Sequence, residues 1–153
     1  MGDALDIIVR REHGVVIVEV AGDIDISTVS GLREALFKLV GTDRTLIVDL
    51  NRVTFIDSAG LGVLVSAYRR ATERGGSLHA ACSRPHIRRL LWLTGVDRRI
   101  PLAATIDGAL AFMPTSQDAP EGGTHALTTI RRTGRRLTGI GRGGRRKAGM
   151  AAG

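Results

Sequence analysis

Residues 45–62 read Thr45-Leu46-Ile47-Val48-Asp49-Leu50-Asn51-Arg52-Val53-Thr54-Phe55-Ile56-Asp57-Ser58-Ala59-Gly60-Leu61-Gly62. The first six form a nearly continuous apolar run, the pattern of a strand buried on both faces. A loop carrying Val53, Phe55 and Ile56 is expected next, leading into Asp57-Ser58-Ala59-Gly60. Leu61, Leu64, Val65 and Tyr68 then recur at helical spacing up to Arg69-Arg70, with Gly75-Gly76 as the stop. A doubly buried strand feeding an amphipathic helix is the unit of a parallel sheet covered by helices.

Working outward, Leu5–Val9 and Val15–Val20 are short β-branched runs either side of Glu12-His13-Gly14, which predicts an opening β-hairpin closed at Gly22. Val29, Leu32, Leu36, Leu39 and Val40 mark a first helix, with Gly41 placed to end it. Downstream, Leu78–Cys82 reads as a strand. Ser83-Arg84-Pro85 reads as a cap followed by an early helical proline, and Ile87, Leu90, Leu91 and Thr94 continue that helix to Gly95. Ile100-Pro101-Leu102 suits an edge strand, and Thr105–Phe112 a last short helix before Pro114. The expected fold class is therefore α/β: a small domain with a mostly parallel mixed sheet, an N-terminal β-hairpin and flanking helices.

Charge divides the 153 residues unevenly. Residues 1–114 carry 14 Lys+Arg against 13 Asp+Glu, and residues 115–153 carry 8 against 2, with nine of the 20 glycines. The first part is long enough to bury a core. The second, a basic Gly/Arg-rich tail, is expected to be disordered, which places the domain boundary at 1–114 and 115–153. No apolar run approaches the roughly 20 residues of a membrane span. The start, Met1-Gly2-Asp3-Ala4-Leu5-Asp6, lacks a basic region and an apolar region, so no secretory signal is expected and the location predicted is cytoplasmic. The single cysteine, Cys82, allows no internal disulfide, and the four histidines sit at no metal-ligand spacing, so neither metal nor cofactor is expected.

An enzyme is not expected either. There is no Gly-rich phosphate loop and no Gly-x-Ser-x-Gly elbow, and no histidine is placed to activate Ser58. Local physics offers two roles at the strand-to-helix junction. Asp57 or Ser58 caps the helix, or Ser58 stands exposed as a phosphorylatable hydroxyl where a helix N-terminus tolerates an anion. Thr28 likewise reads as the cap of the first helix, with a second phosphoacceptor as the other reading. Asp23 and Asp25 read as a hydrophilic turn that starts that helix. Trp92, on the third helix, is left open between core edge and partner contact.

These residues together resemble the STAS-domain family, and within it the bacterial anti-sigma-factor antagonists. The resemblance runs from about Leu5 to Met113. It rests on Gly22-Asp23-Ile24-Asp25, Leu32-Arg33-Glu34-Ala35-Leu36, Leu46-Ile47-Val48-Asp49-Leu50, Ile56-Asp57-Ser58-Ala59-Gly60-Leu61-Gly62 and Leu90-Leu91-Trp92-Leu93-Thr94-Gly95-Val96-Asp97. It implies that Ser58 is phosphorylated by a partner anti-sigma factor of the GHKL serine-kinase type. It implies that the unphosphorylated form binds that partner and frees the sigma factor. Asp23, Asp25, Thr28, Asp57, Ser58, Ala59, Gly60 and Leu61 are the partner-binding residues it suggests.

The basic tail departs from that pattern. Arg131-Arg132, Arg135-Arg136 and Arg142-Gly143-Gly144-Arg145-Arg146-Lys147 suit weak, sequence-independent contact with nucleic-acid phosphates. The tail holds no aromatic residue to stack on bases. A nucleic-acid-associated protein using this tail is thus the alternative reading, together with a STAS subunit of another signalling or transport assembly.

Overall fold

The computed structural model describes residues 5–113, 128–133 and 136–139. The hairpin forms as expected: β1 (Asp6–Glu12) pairs antiparallel with β2 (Val15–Ile24). The chain reverses through His13 and Gly14, both at positive φ, as a two-residue hairpin loop requires. Then follow α1 (Val29–Thr42), β3 (Thr45–Ile56), α2 (Ser58–Glu73), β4 (Ser77–Ala81), α3 (Pro85–Leu93), a short 3-10 turn at Val96–Arg98, β5 (Leu102–Ala103) and α4 (Ile106–Ala111).

Strands β2, β3, β4 and β5 pair in parallel, which gives the mixed sheet and flanking helices expected of the α/β class. Alternation along the strands sorts the core into two layers. Val16, Val18, Val20, Leu46, Val48, Leu50, Leu78 and Ala80 face α1, α2 and α3. Val15, Ile17, Ile47 and Ala81 face the opposite way, toward Ala109 of α4. Leu46, Ile47 and Val48 are each fully buried, so β3 is covered on both faces, as its apolar run predicted.

Four local expectations need correction. Val53, Phe55 and Ile56 lie in no loop, because β3 runs unbroken to Ile56. Asn51, the polar residue that follows the apolar run, is a tie. Its side chain donates to the Ala104 carbonyl and to Asp49, and its Oδ1 accepts from the Ser83 amide and hydroxyl. Ser83 is consequently not a helix cap; Arg84 holds that position without a side-chain cap bond. Gly22 does not end β2 either. It takes φ 110° beside a register shift, a bulge that lets the strand continue to Ile24. Gly41 lies inside α1, which closes at Asp43 in an extended conformation.

The tail differs most. Two segments predicted as disordered are strands: β6 (Thr128–Thr133) pairs antiparallel with β1, and β7 (Arg136–Gly139) pairs with β6. The sheet order becomes β5-β4-β3-β2-β1-β6-β7. Without β6, β1 would present a row of unpaired backbone groups at the edge, and the β-branched Thr128-Thr129-Ile130 run suits an added strand. Composition averaged over 39 residues hides so short a run. The rest of 115–153, including Arg142–Lys147, lies outside the described residues.

Candidate functional site

The parallel pairing of β2 with β3 sets Asp23 opposite Phe55 and Ile24 opposite Ile56 at the C-terminal ends of both strands. Beyond those ends the chain turns into α1 and α2, whose N-termini open at the same edge of the sheet. The Asp57 amide donates to the Ile24 carbonyl at 3.1 Å and joins the two turns. Two helix N-termini at the carboxyl edge of a parallel sheet form the usual ligand-facing side of such folds.

Asp57 settles which residue caps α2. Its carboxylate accepts the Gly60 amide at 3.1 Å, and its carbonyl accepts the Leu61 amide at 3.0 Å. Ser58, the first helical residue, is exposed, and its hydroxyl joins no hydrogen bond among the described residues. The two local readings of the sequence therefore divide between neighbouring residues. Asp57 supplies the cap and Ser58 keeps a free nucleophilic oxygen. Ala59 is half-buried beside it, while Gly60 and Leu61 are buried and support the turn from beneath.

On the facing turn, Asp25 organises the start of α1. Its Oδ1 accepts from the Ser27 hydroxyl at 2.6 Å and from the amides of Ser27 and Thr28 at 2.8 and 3.2 Å. These bonds, led by the Ser27 hydroxyl, hold the Asp25 carboxyl below its ordinary 3.8. A lowered folded-state value means the turn's stabilisation is complete above pH 3.8 and is lost as pH falls through the folded midpoint. An NMR titration of the Asp25 carboxyl is expected to show a midpoint below 3.8, and Ser27→Ala to move it upward. A wild-type midpoint at or above 3.8 would contradict this geometry.

Thr28 occupies the cap position of α1 without capping it. It is only 7% exposed; its hydroxyl donates to the Asp23 carbonyl at 2.8 Å and accepts the Asp25 amide at 3.0 Å. Asp23 is a strand residue rather than a turn residue, and its carboxylate accepts the Thr54 hydroxyl across the β2–β3 pair. Thr54 also presents its carbonyl 3.2 Å from His86 Nε2, at the start of α3.

Ile26, Phe55, Trp92, Leu93 and Phe112 are the large apolar side chains left exposed among the described residues, and the first two escaped the reading of the sequence as a surface. Ile26 is 83% exposed between Asp25 and Ser27, and Phe55 is 51% exposed opposite Asp23. Trp92, left undecided above, is 63% exposed on α3. Ile26 and Phe55 flank the Ser58 edge; both sit in segments read as turn or loop, where apolar periodicity carries no signal of facing. Cys82 is buried, and burial pushes its thiol up, which removes it as a nucleophile. No group of three potential metal ligands forms among the described residues, and no described helix is long and apolar enough to cross a membrane.

The family model for the STAS domain matches residues 6–109. The chain is similar to an anti-sigma-B factor antagonist of Bacillus subtilis, 30% identical over 106 residues that make up 69% of this chain and 97% of that protein. It is 31% identical over 110 residues to an anti-sigma-F factor antagonist of Mycobacterium tuberculosis, covering 71% of this chain and 88% of that one. Among solved structures, an anti-sigma factor antagonist from Mycobacterium paratuberculosis superposes with a TM-score of 0.67 at 31% identity, covering 72% of this chain and 97% of that chain.

Proposed function

The chain belongs to the STAS-domain family, and from that premise we propose that it is an anti-sigma-factor antagonist switched at Ser58. The unphosphorylated protein docks the β2–α1 and β3–α2 turns on an anti-sigma factor of the GHKL serine-kinase type and so releases the sigma factor. Phosphorylation of Ser58 by that partner ends the docking. The observation that carries this reading is the division of labour at residues 57 and 58. Asp57 holds the cap, so the exposed Ser58 hydroxyl can be modified without dismantling the helix start. A phosphate there adds roughly −1.5 to −2 charges at a helix N-terminus that favours anions, so the free fold tolerates it. The cost falls on the complex, where the new charge stands beside Asp57 in a close-packed surface.

Ile26 and Phe55 supply the apolar contact such a surface needs, and Asp23 and Asp25 its charge. Thr28 is a poor second acceptor, because its hydroxyl is buried and bonded on both sides. The test is intact-mass analysis after incubation with candidate GHKL kinases and ATP. A single phosphate is expected on the wild type and none on Ser58→Ala. Modification that persists in Ser58→Ala would sink the assignment. Ile26→Ser is expected to weaken kinase binding tenfold or more and to leave the thermal midpoint unchanged, since a largely exposed side chain contributes little to the core. Unchanged affinity would remove Ile26 from the interface.

We place this function in residues 1–114 and assign the basic segment only weak, salt-sensitive contact with nucleic acid. Residues 1–114 are therefore expected to retain kinase binding, and full-length protein to lose DNA binding near physiological salt. Loss of kinase binding in 1–114 would make the segment part of the recognition surface. Tight binding of one DNA sequence at physiological salt would favour the nucleic-acid reading instead.

A further inference from the structure

Away from the Ser58 edge, the outer surfaces of α1 and α2 enclose a groove of about 550 Å³ lined by four arginines: Arg33 from α1, Arg69 and Arg70 from α2, and Arg74 just past its end. A single carboxylate, Glu73, shares the lining. Glu73 stands four residues from Arg69 and three from Arg70, spacings at which helical ion pairs form. Neither pair closes to 4.0 Å. The partial negative charge at the end of α2 offsets only about half a unit of this excess. Four guanidiniums thus surround one concavity with their charge largely uncompensated.

The four arginines are exposed, but two of them share one aromatic face. The Arg70 guanidinium lies 4.0 Å from the centre of the Phe37 ring, and Arg33 lies 5.8 Å from it. Stacking on one ring holds two of the four forks near each other before any ligand arrives, which reduces the ordering cost of binding. Planar guanidinium forks match phosphate oxygens in pairs. The volume falls within the range of small-molecule sites.

We propose that this groove binds a small phosphate-bearing ligand with at least two adjacent anionic groups. The site is separate from the phosphorylation site: Ser66, the groove residue nearest to Ser58 in sequence, lies about 12 Å farther along α2 at the helical rise. It gives the domain a second input, independent of the kinase, through the helix that carries Ser58.

The test uses isotopically labelled full-length protein titrated with pyrophosphate, inorganic phosphate and tetraglutamate at matched ionic strength. Pyrophosphate is expected to shift the amides of residues 33, 37 and 66–74 with saturation, and phosphate to do so at least tenfold more weakly. Arg33→Gln/Arg69→Gln is expected to weaken pyrophosphate at least tenfold. Glutamine has nearly the helix propensity of arginine, and the closer Arg70 stack on Phe37 is left in place, so the fold is expected to hold. Should that variant unfold, Arg33→Lys/Arg69→Lys keeps the charge and removes the fork, and is expected to weaken binding at least threefold. Shifts confined to the arginines beyond residue 128, unchanged affinity in the folded double variant, or equal affinity for tetraglutamate would each overturn the proposal. The last would point to an acidic protein segment.

Discussion

Phosphoserine at position 58 is expected to weaken anti-sigma-factor binding about a hundredfold or more. That factor corresponds to about 2.7 kcal/mol. It is a modest demand, because like charges brought together in an interface cost several kcal/mol. Ser58→Glu carries less charge and fewer acceptor atoms, so a loss of about tenfold is expected. Ser58→Ala should bind within a few-fold of the wild type and ignore the kinase. Stability should move the other way, if at all. The first turn of α2 contains no acidic residue, so a negative group there meets the helix dipole favourably. Calorimetric titration against the kinase, run beside thermal unfolding of each variant, separates the two effects. Equal affinity for wild type, Ser58→Glu and phosphoprotein would refute the switch.

The geometry gives the proposed modification a way to attack binding and spare folding. Asp57, Asp25 and Thr28 spend their side-chain bonds on the two turns themselves. Ser58, Ile26 and Phe55 make the outward surface. Charge reversal at Asp23 therefore has a structural component that its reading as a turn residue did not suggest. Lysine at position 23 would lose the Thr54 hydroxyl across the strand pair, so reduced binding in that variant must be weighed against its stability.

Periodicity in the sequence made legible what depends on burial of regular elements. The β3 run, the α1 and α2 faces and the His13-Gly14 turn each declare themselves through apolar spacing or backbone demand. What it missed depends on partners distant in the chain. The polar Asn51 looks like the end of a strand until its partners at Ser83 and Ala104 are known, and those lie 32 and 53 residues away. Gly22 looks like a terminus unless the bulge against β3 is seen. The pairing of β6 with β1 depends on an open edge that only the assembled sheet presents. At the site, residue identity left the helix cap open between Asp57 and Ser58. Only the hydrogen bond to Gly60 gives it to Asp57.

The same motif yields a contrast between two glycines that look alike in sequence. Gly60→Val is expected to destabilise the domain by about 3 kcal/mol, at the upper end of overpacking costs. A Cβ at position 60 would lie 2.6 Å from Ile24 Cγ2 and 2.8 Å from Ile56 Cγ1. Both isoleucines are buried, paired with each other at the ends of β2 and β3, and branched at Cβ, so they have little room to rotate away. The first turn of α2 would have to lift off the sheet and carry Asp57 and Ser58 with it. For a domain of this size, the thermal midpoint should fall on the order of 10–20 °C. At Gly62 nothing lies within 4 Å of an added Cβ, and the residue is exposed within the helix. Gly62→Ala should instead gain up to about 1 kcal/mol from helix propensity. Kinase binding is expected to fail in Gly60→Val through the displaced turn, in proportion to its lost stability. Should Gly60→Val keep its thermal midpoint and still fail to bind, close approach of the partner, rather than packing of α2 on the sheet, would be what this position demands.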